Sequence, residues 1–222
     1  MISTGLISGM SAVFSVLTAQ RLVAQEFTSF DRFPIPPGGL SDVRFTRRCT
    51  GCGICSAKCP TGVIRPAFFE KGLSGFMQPL LDFEKGFCAY ECTVCSHVCP
   101  TEALTEISLL KKKKLSIGIS KFKESRCIVF TKNTACGACA EVCPTHALTM
   151  IDYKNGLTIP TIDESICVGC GACEFHCPVR PMRAVFVIGR KEQVSITEIL
   201  PRKTKEYQQR KKEKNKAADF PF

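Results

Sequence analysis

The sequence predicts a loop-rich α+β fold of short helices and strands, and three observations carry that prediction. Sixteen of the 222 residues are cysteine. They fall into four groups of four, and every group closes on Cys-Pro. The stretches between the groups read as short helical turns and short apolar strands. Repetition at this scale decides the architecture before any local detail does.

Residues 1–33 begin with the apolar run "GLISGMSAVFSVLTA" at 5–19. It is shorter than the roughly twenty residues that span a bilayer, and it fits the apolar core of a secretory signal. Nothing basic precedes it. "ISTGLISGMSAVF" resembles the stretch just behind the arginine pair of a twin-arginine signal, which puts the true start upstream. The alternative is a short apolar helix docked on the protein or on a partner.

Residues 34–190 hold the four repeats, at 49–60, 88–100, 127–144 and 167–178. The first, "CTGCGICSAKCP", carries Cys49, Cys52, Cys55 and Cys59; the second, "CAYECTVCSHVCP", carries Cys88, Cys92, Cys95 and Cys99. The third, "CIVFTKNTACGACAEVCP", carries Cys127, Cys136, Cys139 and Cys143; the fourth, "CVGCGACEFHCP", carries Cys167, Cys170, Cys173 and Cys177. No cysteine is left over. Repeats one and four match the bacterial ferredoxin run C-x2-C-x2-C-x3-C-P without deviation, and that run ligates iron–sulfur clusters. Glycines such as Gly53, Gly169 and Gly171 let the loop wrap three corners of a cubane and turn its amides toward the sulfurs. The fourth cysteine is expected to start a short helix, to have the following proline in its first turn, and to point at the other cluster of a pair.

Each Cys-Pro is followed by a similar tail: "TGVIRPA", "TEALTEI", "THALTMI" and "VRPMRAVFVIG". Each tail reads as a helical turn and then a strand. "IGISKFKESRC" and "GLTIPTIDESIC" read as the returning strands. Pairs of repeats therefore make bacterial-ferredoxin-like two-cluster units, and four repeats make two such units in tandem, binding four 4Fe-4S clusters. Little ordinary apolar core is expected, with the clusters standing in for one. Repeats two and three have wider first spacings, so their loops differ; neither loses a cysteine, as a three-iron site would require.

Two other readings of the cysteines fit less well. Disulfides suit small secreted frameworks, but cysteines two residues apart do not readily bridge. Structural zinc uses two C-x-x-C pairs rather than C-x2-C-x2-C-x3-C-P. The formal charge is +10, from 30 Lys and Arg against 20 Asp and Glu. By itself that suggests a nucleic-acid or membrane surface. Sixteen thiolates offset by four oxidised cores would shift it by about −8, to near +2, so the excess balances buried anionic clusters and no nucleic acid is expected.

Lys111–Lys114 reads as a solvated loop, with a docking patch for an acidic partner the alternative. Residues 191–222 form a charged tail, "RKTKEYQQRKKEKNK" from Arg202 to Lys216, which reads as disorder or a frayed helix. His97, His146 and His176 sit beside the motifs and read as surface residues, a hydrogen bond to a ligand being the alternative. There is no Ser-His-Asp grouping, no Walker loop and no dinucleotide fingerprint, so no catalytic residue is assigned.

The four motifs in this order, with "PIPPGGLSDVRFTRRCTGCGICSAKCP", "IGIS" before the third motif and the widened third motif, resemble the MauM/NapG-type polyferredoxins over about residues 34–190. The resemblance implies four 4Fe-4S clusters and electron transfer between a membrane quinol dehydrogenase and a soluble reductase. It also implies folded export by the twin-arginine route to the periplasm, with peripheral membrane association and a cytoplasmic location as alternatives. The chain departs from the family in lacking a visible arginine pair and in the spacing of its second motif. An iron–sulfur subunit of a larger, molybdopterin-type oxidoreductase is the second reading. A structural zinc protein with a nucleic-acid surface is the third. Related four-cluster subunits pair the first motif with the fourth and the second with the third. Sequential pairing is the alternative, and linkers of similar length leave both open.

Overall fold

The computed structural model describes residues 33–196. The expectations for the apolar run at 5–19, and for the tail beyond residue 196, fall outside the described residues. The chain builds two successive modules, motifs one and two in the first, three and four in the second. In chain order the elements are α1 (Asp42–Arg48), α2 (Ile54–Ala57), β1 (Ile64–Pro66), β2 (Pro79–Leu81), α3 (Val94–His97), α4 (Leu109–Lys113) and β3 (Leu115–Phe122). They continue with α5 (Ile128–Lys132), α6 (Ala138–Glu141), β4 (Leu148–Asp152), β5 (Thr158–Ile162), α7 (Ala172–His176) and β6 (Val185–Ser195). The described strands form three two-stranded antiparallel sheets, β1–β2, β3–β6 and β4–β5.

This layout comes from the repeat. β1–β2 joins motif one to motif two, and β4–β5 joins motif three to motif four. β3 and β6 flank the second module and close it. The corresponding closure in the first module is irregular. The stretch directly after motif two, residues 101–107, makes no strand, contrary to the expectation from "TEALTEI"; instead the Thr105 N–H bonds the Gly38 carbonyl oxygen at 2.9 Å.

The short helix of each motif lies ahead of the fourth cysteine, not after it. α2, α3, α6 and α7 carry the third cysteine of their motifs: Cys55, Cys95, Cys139 and Cys173. In the first three motifs the fourth cysteine opens a turn, as in the Gly62 N–H bond to the Cys59 carbonyl oxygen at 3.2 Å. The next residue, proline, takes the second position of that turn, where its fixed φ belongs. The eight residues between Cys127 and Cys136, six more than in motifs one and four, include α5, so they lengthen the loop without moving the thiols' order.

There is more ordinary core than the sequence suggests. Ile35, Phe45, Val63, Leu81, Leu104, Ile107, Ile117, Val185 and Val187 form one buried cluster with cysteines of all four motifs at its edge. A smaller cluster gathers Val129 and Ala184 with Cys127 and Cys177. The Pro-Pro-Gly stretch is a buried strap, with residues 34–39 inaccessible to solvent. The Gln193 side chain holds it: Nε2 donates to the Pro36 carbonyl oxygen at 2.9 Å, and Oε1 accepts from the Gly38 N–H at 3.0 Å. β6 therefore runs past position 190 to Ser195, and residues 191–196 belong with the repeats rather than with the charged tail.

The modules meet face to face. Cys88 donates its N–H to the Cys170 carbonyl oxygen at 2.8 Å, and the Phe87 and Phe175 rings meet at a tilt of 44° with centroids 5.8 Å apart. Gly171, at φ +78°, lies flat on Phe83, so that a Cβ there would sit 2.0 Å from the ring. Only glycine meets both the left-handed backbone and that contact.

Candidate metal centres

All sixteen cysteines are free of disulfides, and they surround four hollows, four thiols to each. Cys49, Cys52, Cys55 and Cys99 line hollow I, of about 330 Å³. Cys59, Cys88, Cys92 and Cys95 line hollow II, of about 320 Å³. Cys143, Cys167, Cys170 and Cys173 line hollow III, of about 270 Å³. Cys127, Cys136, Cys139 and Cys177 line hollow IV, of about 340 Å³. Each motif thus gives three thiols to one hollow and sends its fourth to the other hollow of its module. Pairing is sequential: Cys59 crosses to motif two, and none of these four hollows has thiols of both motif one and motif four.

This donor set fits a 4Fe-4S group at each hollow. A zinc ion draws four sulfurs to about 2.3 Å from one point. Among the described residues no three Cys, His, Asp or Glu side chains converge closely enough to hold one ion. The thiols stand apart around a space instead.

The donors around the sulfurs differ by position. Hydroxyls two residues past the fourth cysteine face its sulfur: Thr61 Oγ1 is 3.5 Å from Cys59 Sγ, Thr101 Oγ1 is 3.8 Å from Cys99 Sγ, and Thr145 Oγ1 is 3.8 Å from Cys143 Sγ. The Leu104 N–H also donates to Cys99 Sγ at 3.4 Å. Ser120 Oγ lies 3.4 Å from the buried Cys173 Sγ. Burial pushes the Cys59 thiol up, but the Thr61 hydroxyl and the N–H groups of Ile64, Thr61 and Val63 outweigh it and leave the thiol below its ordinary value. Cys99 is lowered in the same way, its burial outweighed by Leu104 N–H and the Thr101 hydroxyl. At other positions burial prevails: it carries Cys55, Cys95, Cys139 and Cys170 up to about 12. Ligand thiols must lose their protons, so iron binding has more to overcome at these thiols than at Cys59 and Cys99.

The threonines were legible in the sequence as the Cys-Pro-Thr of the first three motifs; the fourth has Val179 instead. Lys111–Lys114 is corrected: Lys111, Lys112 and Lys113 lie in α4, and Lys112 is buried at 3% exposure. His97, His146 and His176 are exposed. His97 bonds Glu106 and Thr93 rather than a ligand sulfur, and His176 Nδ1 contacts the Ala172 carbonyl oxygen. No described helix is long and apolar enough to cross a membrane.

Two 4Fe-4S dicluster domain families match the chain, one over residues 48–104 and one over 132–180. These spans enclose motifs one and two, and the third and fourth motifs from the second cysteine of motif three onward, in agreement with sequential pairing. The chain is 32% identical to the methylamine utilization ferredoxin-type protein MauM of Methylorubrum extorquens, over 70% of this chain and 72% of that protein. It is 30% identical to MauM of Methylobacillus flagellatus over 64% of this chain. It is 29% identical to the ferredoxin-type protein NapG of Escherichia coli, over 64% of each chain. The match spans 62% of the Methylobacillus protein's length and 65% of that of a Methylophilus methylotrophus MauM, under two thirds of each.

Proposed function

The chain belongs to the MauM/NapG-type ferredoxin family, and on that premise we propose that it relays single electrons through four 4Fe-4S clusters from a membrane quinol dehydrogenase to a soluble redox partner. As a ferredoxin-type iron–sulfur protein it transfers electrons; the number of clusters, their sixteen cysteine ligands and both partners are part of the proposal. When bound, each cluster supplies a one-electron 2+/1+ couple. The chain's own residues hold each site with four thiolates and turn hydroxyls and amides toward the sulfurs.

The observation that supports the reading is the order of the hollows. Hollows I and II share a module, III and IV share the other, and the Cys88–Cys170 backbone bond joins II to III. The sites are thus linked in the order I–II–III–IV, as a relay requires. Hollow I is the open end: Cys52 is the exposed thiol of the sixteen. Beside it the loop between β1 and β2 exposes Phe69 at 78% and Leu73 at 86%. Gln78 ties that loop to α1, donating to the Thr46 carbonyl oxygen at 3.0 Å. A redox partner docks there, against the open end. Where the partner stays bound, the chain acts as the iron–sulfur subunit of a larger oxidoreductase, and the exposed aromatic loop favours such an assembly. The working place is the periplasm or the membrane surface, on the strength of the signal-like run at 5–19.

An anaerobic coulometric titration tests the relay. Full reduction takes up about four electrons per chain, one for each 2+/1+ couple. Uptake of about two would contradict it.

A further inference from the structure

Three cations are buried in the described residues, and each stands at a different hollow. Lys71, 6% exposed, acts on Cys49 of hollow I, with its ammonium 5.4 Å from the centre of the Phe45 ring. Arg183, 6% exposed, donates Nη1 to the Cys177 carbonyl oxygen at 3.4 Å beside hollow IV. Lys112, 3% exposed, is the most buried, and its ammonium bonds the carbonyl oxygen of Ala89, the residue next to Cys88 of hollow II. A buried ammonium with no anion nearby is costly, so its place is explained only by negative charge close at hand.

The surroundings of Lys112 show how it is kept there. Motif two has one residue more than motifs one and four between the first and second cysteines, giving the loop Ala89-Tyr90-Glu91. α4 lies on that loop at three points. Lys112 Nζ donates to the Ala89 carbonyl oxygen at 3.4 Å. The Tyr90 hydroxyl donates to the Lys113 carbonyl oxygen at 3.2 Å. Lys113 Nζ pairs with Glu91 at 2.5 Å. The extra residue thus makes the seat for α4, and α4 delivers one of its lysines inward while Lys111 and Lys114 face solvent. Cys88 and Cys95 both sense this charge: burial pushes each thiol up, and the Lys112 ammonium pulls each back.

We propose that Lys112 is a fixed counter-charge for the cluster at hollow II, raising its reduction potential and making this inner site a resting place for an electron passing between the modules. The inference rests on the reading of Cys59, Cys88, Cys92 and Cys95 as ligands. The physical reason is the sign of the charge. Each added electron makes a thiolate-held cluster more negative, and a buried ammonium held beside a ligand favours the more negative state. Lys112 is a positioning residue in this sense, acting through Cys88.

The test is a potentiometric titration monitored by electron paramagnetic resonance, on the full chain purified anaerobically. Lys112→Met should lower one of the four midpoint potentials, the same one that Cys92→Ser disturbs, and leave iron near sixteen per chain. Lys112→Arg should restore it. Four unmoved potentials in a fully loaded Lys112→Met protein would overturn the proposal. If Lys112→Met loses iron, Lys112→Gln is read in its place, since it keeps a donor without the charge. Loss of iron from both neutral variants, with Lys112→Arg fully loaded, would also overturn it, because Lys112 would then serve assembly rather than potential. Iron far below sixteen in the unaltered protein would instead refute the ligand assignment itself.

Discussion

Cys88 and Cys170 belong to different modules, yet the N–H of one bonds the carbonyl oxygen of the other at 2.8 Å. Each residue also lends its thiol to an inner hollow, Cys88 to II and Cys170 to III. This backbone link between the modules therefore also lies between the two inner hollows.

That junction depends on Gly171. Gly171→Ala forces a Cβ into Phe83 and strains a φ of +78°. A left-handed residue costs about 1–2 kcal/mol, and the clash adds about 1–3 kcal/mol. Gly53, at φ +76° with nothing within 4 Å of its Cβ position, is the control. Anaerobic thermal unfolding should show a larger fall in Tm for Gly171→Ala than for Gly53→Ala. Equal falls would mean the Phe83 contact contributes nothing.

Cys59→Ser should disturb the cluster that Cys92→Ser disturbs and leave the one sensitive to Cys167→Ser as it was. Electron paramagnetic resonance of the reduced variants reads this directly. Disturbance of the Cys167-sensitive signal would restore nested pairing and contradict the arrangement around hollow II.

The Ser120 hydroxyl, buried 3.4 Å from Cys173 Sγ, donates to the thiolate form. Hydrogen bonds to the sulfurs raise a cluster's potential. Ser120→Ala should shift one midpoint downward, and Ser120→Thr should hold it near its original value. An unchanged set of potentials in Ser120→Ala would remove the hydroxyl from the account.

Gln193→Leu takes away the amide that binds the strap at Pro36 and Gly38. Buried backbone groups left without partners cost about 1–3 kcal/mol each. The variant should lose stability by an amount of that order, with its iron content unchanged until it unfolds. A Tm equal to that of the parent would show that the strap is held by packing alone.

The sequence made the sites legible because ligand spacing is a local property: cysteines two and three residues apart can meet one cluster with little help from the rest of the fold. The exchange of the fourth cysteine was legible for the same reason. Pairing was not, because linkers of 28, 27 and 23 residues allow either arrangement, and the decision lies in long-range contacts such as that between Phe83 and Gly171. The core was underestimated for a similar reason. Ile35, Leu81, Leu104 and Ile117 are scattered in separate linkers and join only after folding. Lys112 was hidden among four lysines whose composition speaks of solvent. Only the seat on residues 89–91 turns one of them inward.

The central claim is that sixteen cysteines hold four 4Fe-4S clusters, and metal and sulfide analysis of anaerobically purified protein tests it most directly. The account predicts about sixteen iron and about sixteen acid-labile sulfide per chain, with zinc only in traces. Stoichiometric zinc without sulfide would contradict it.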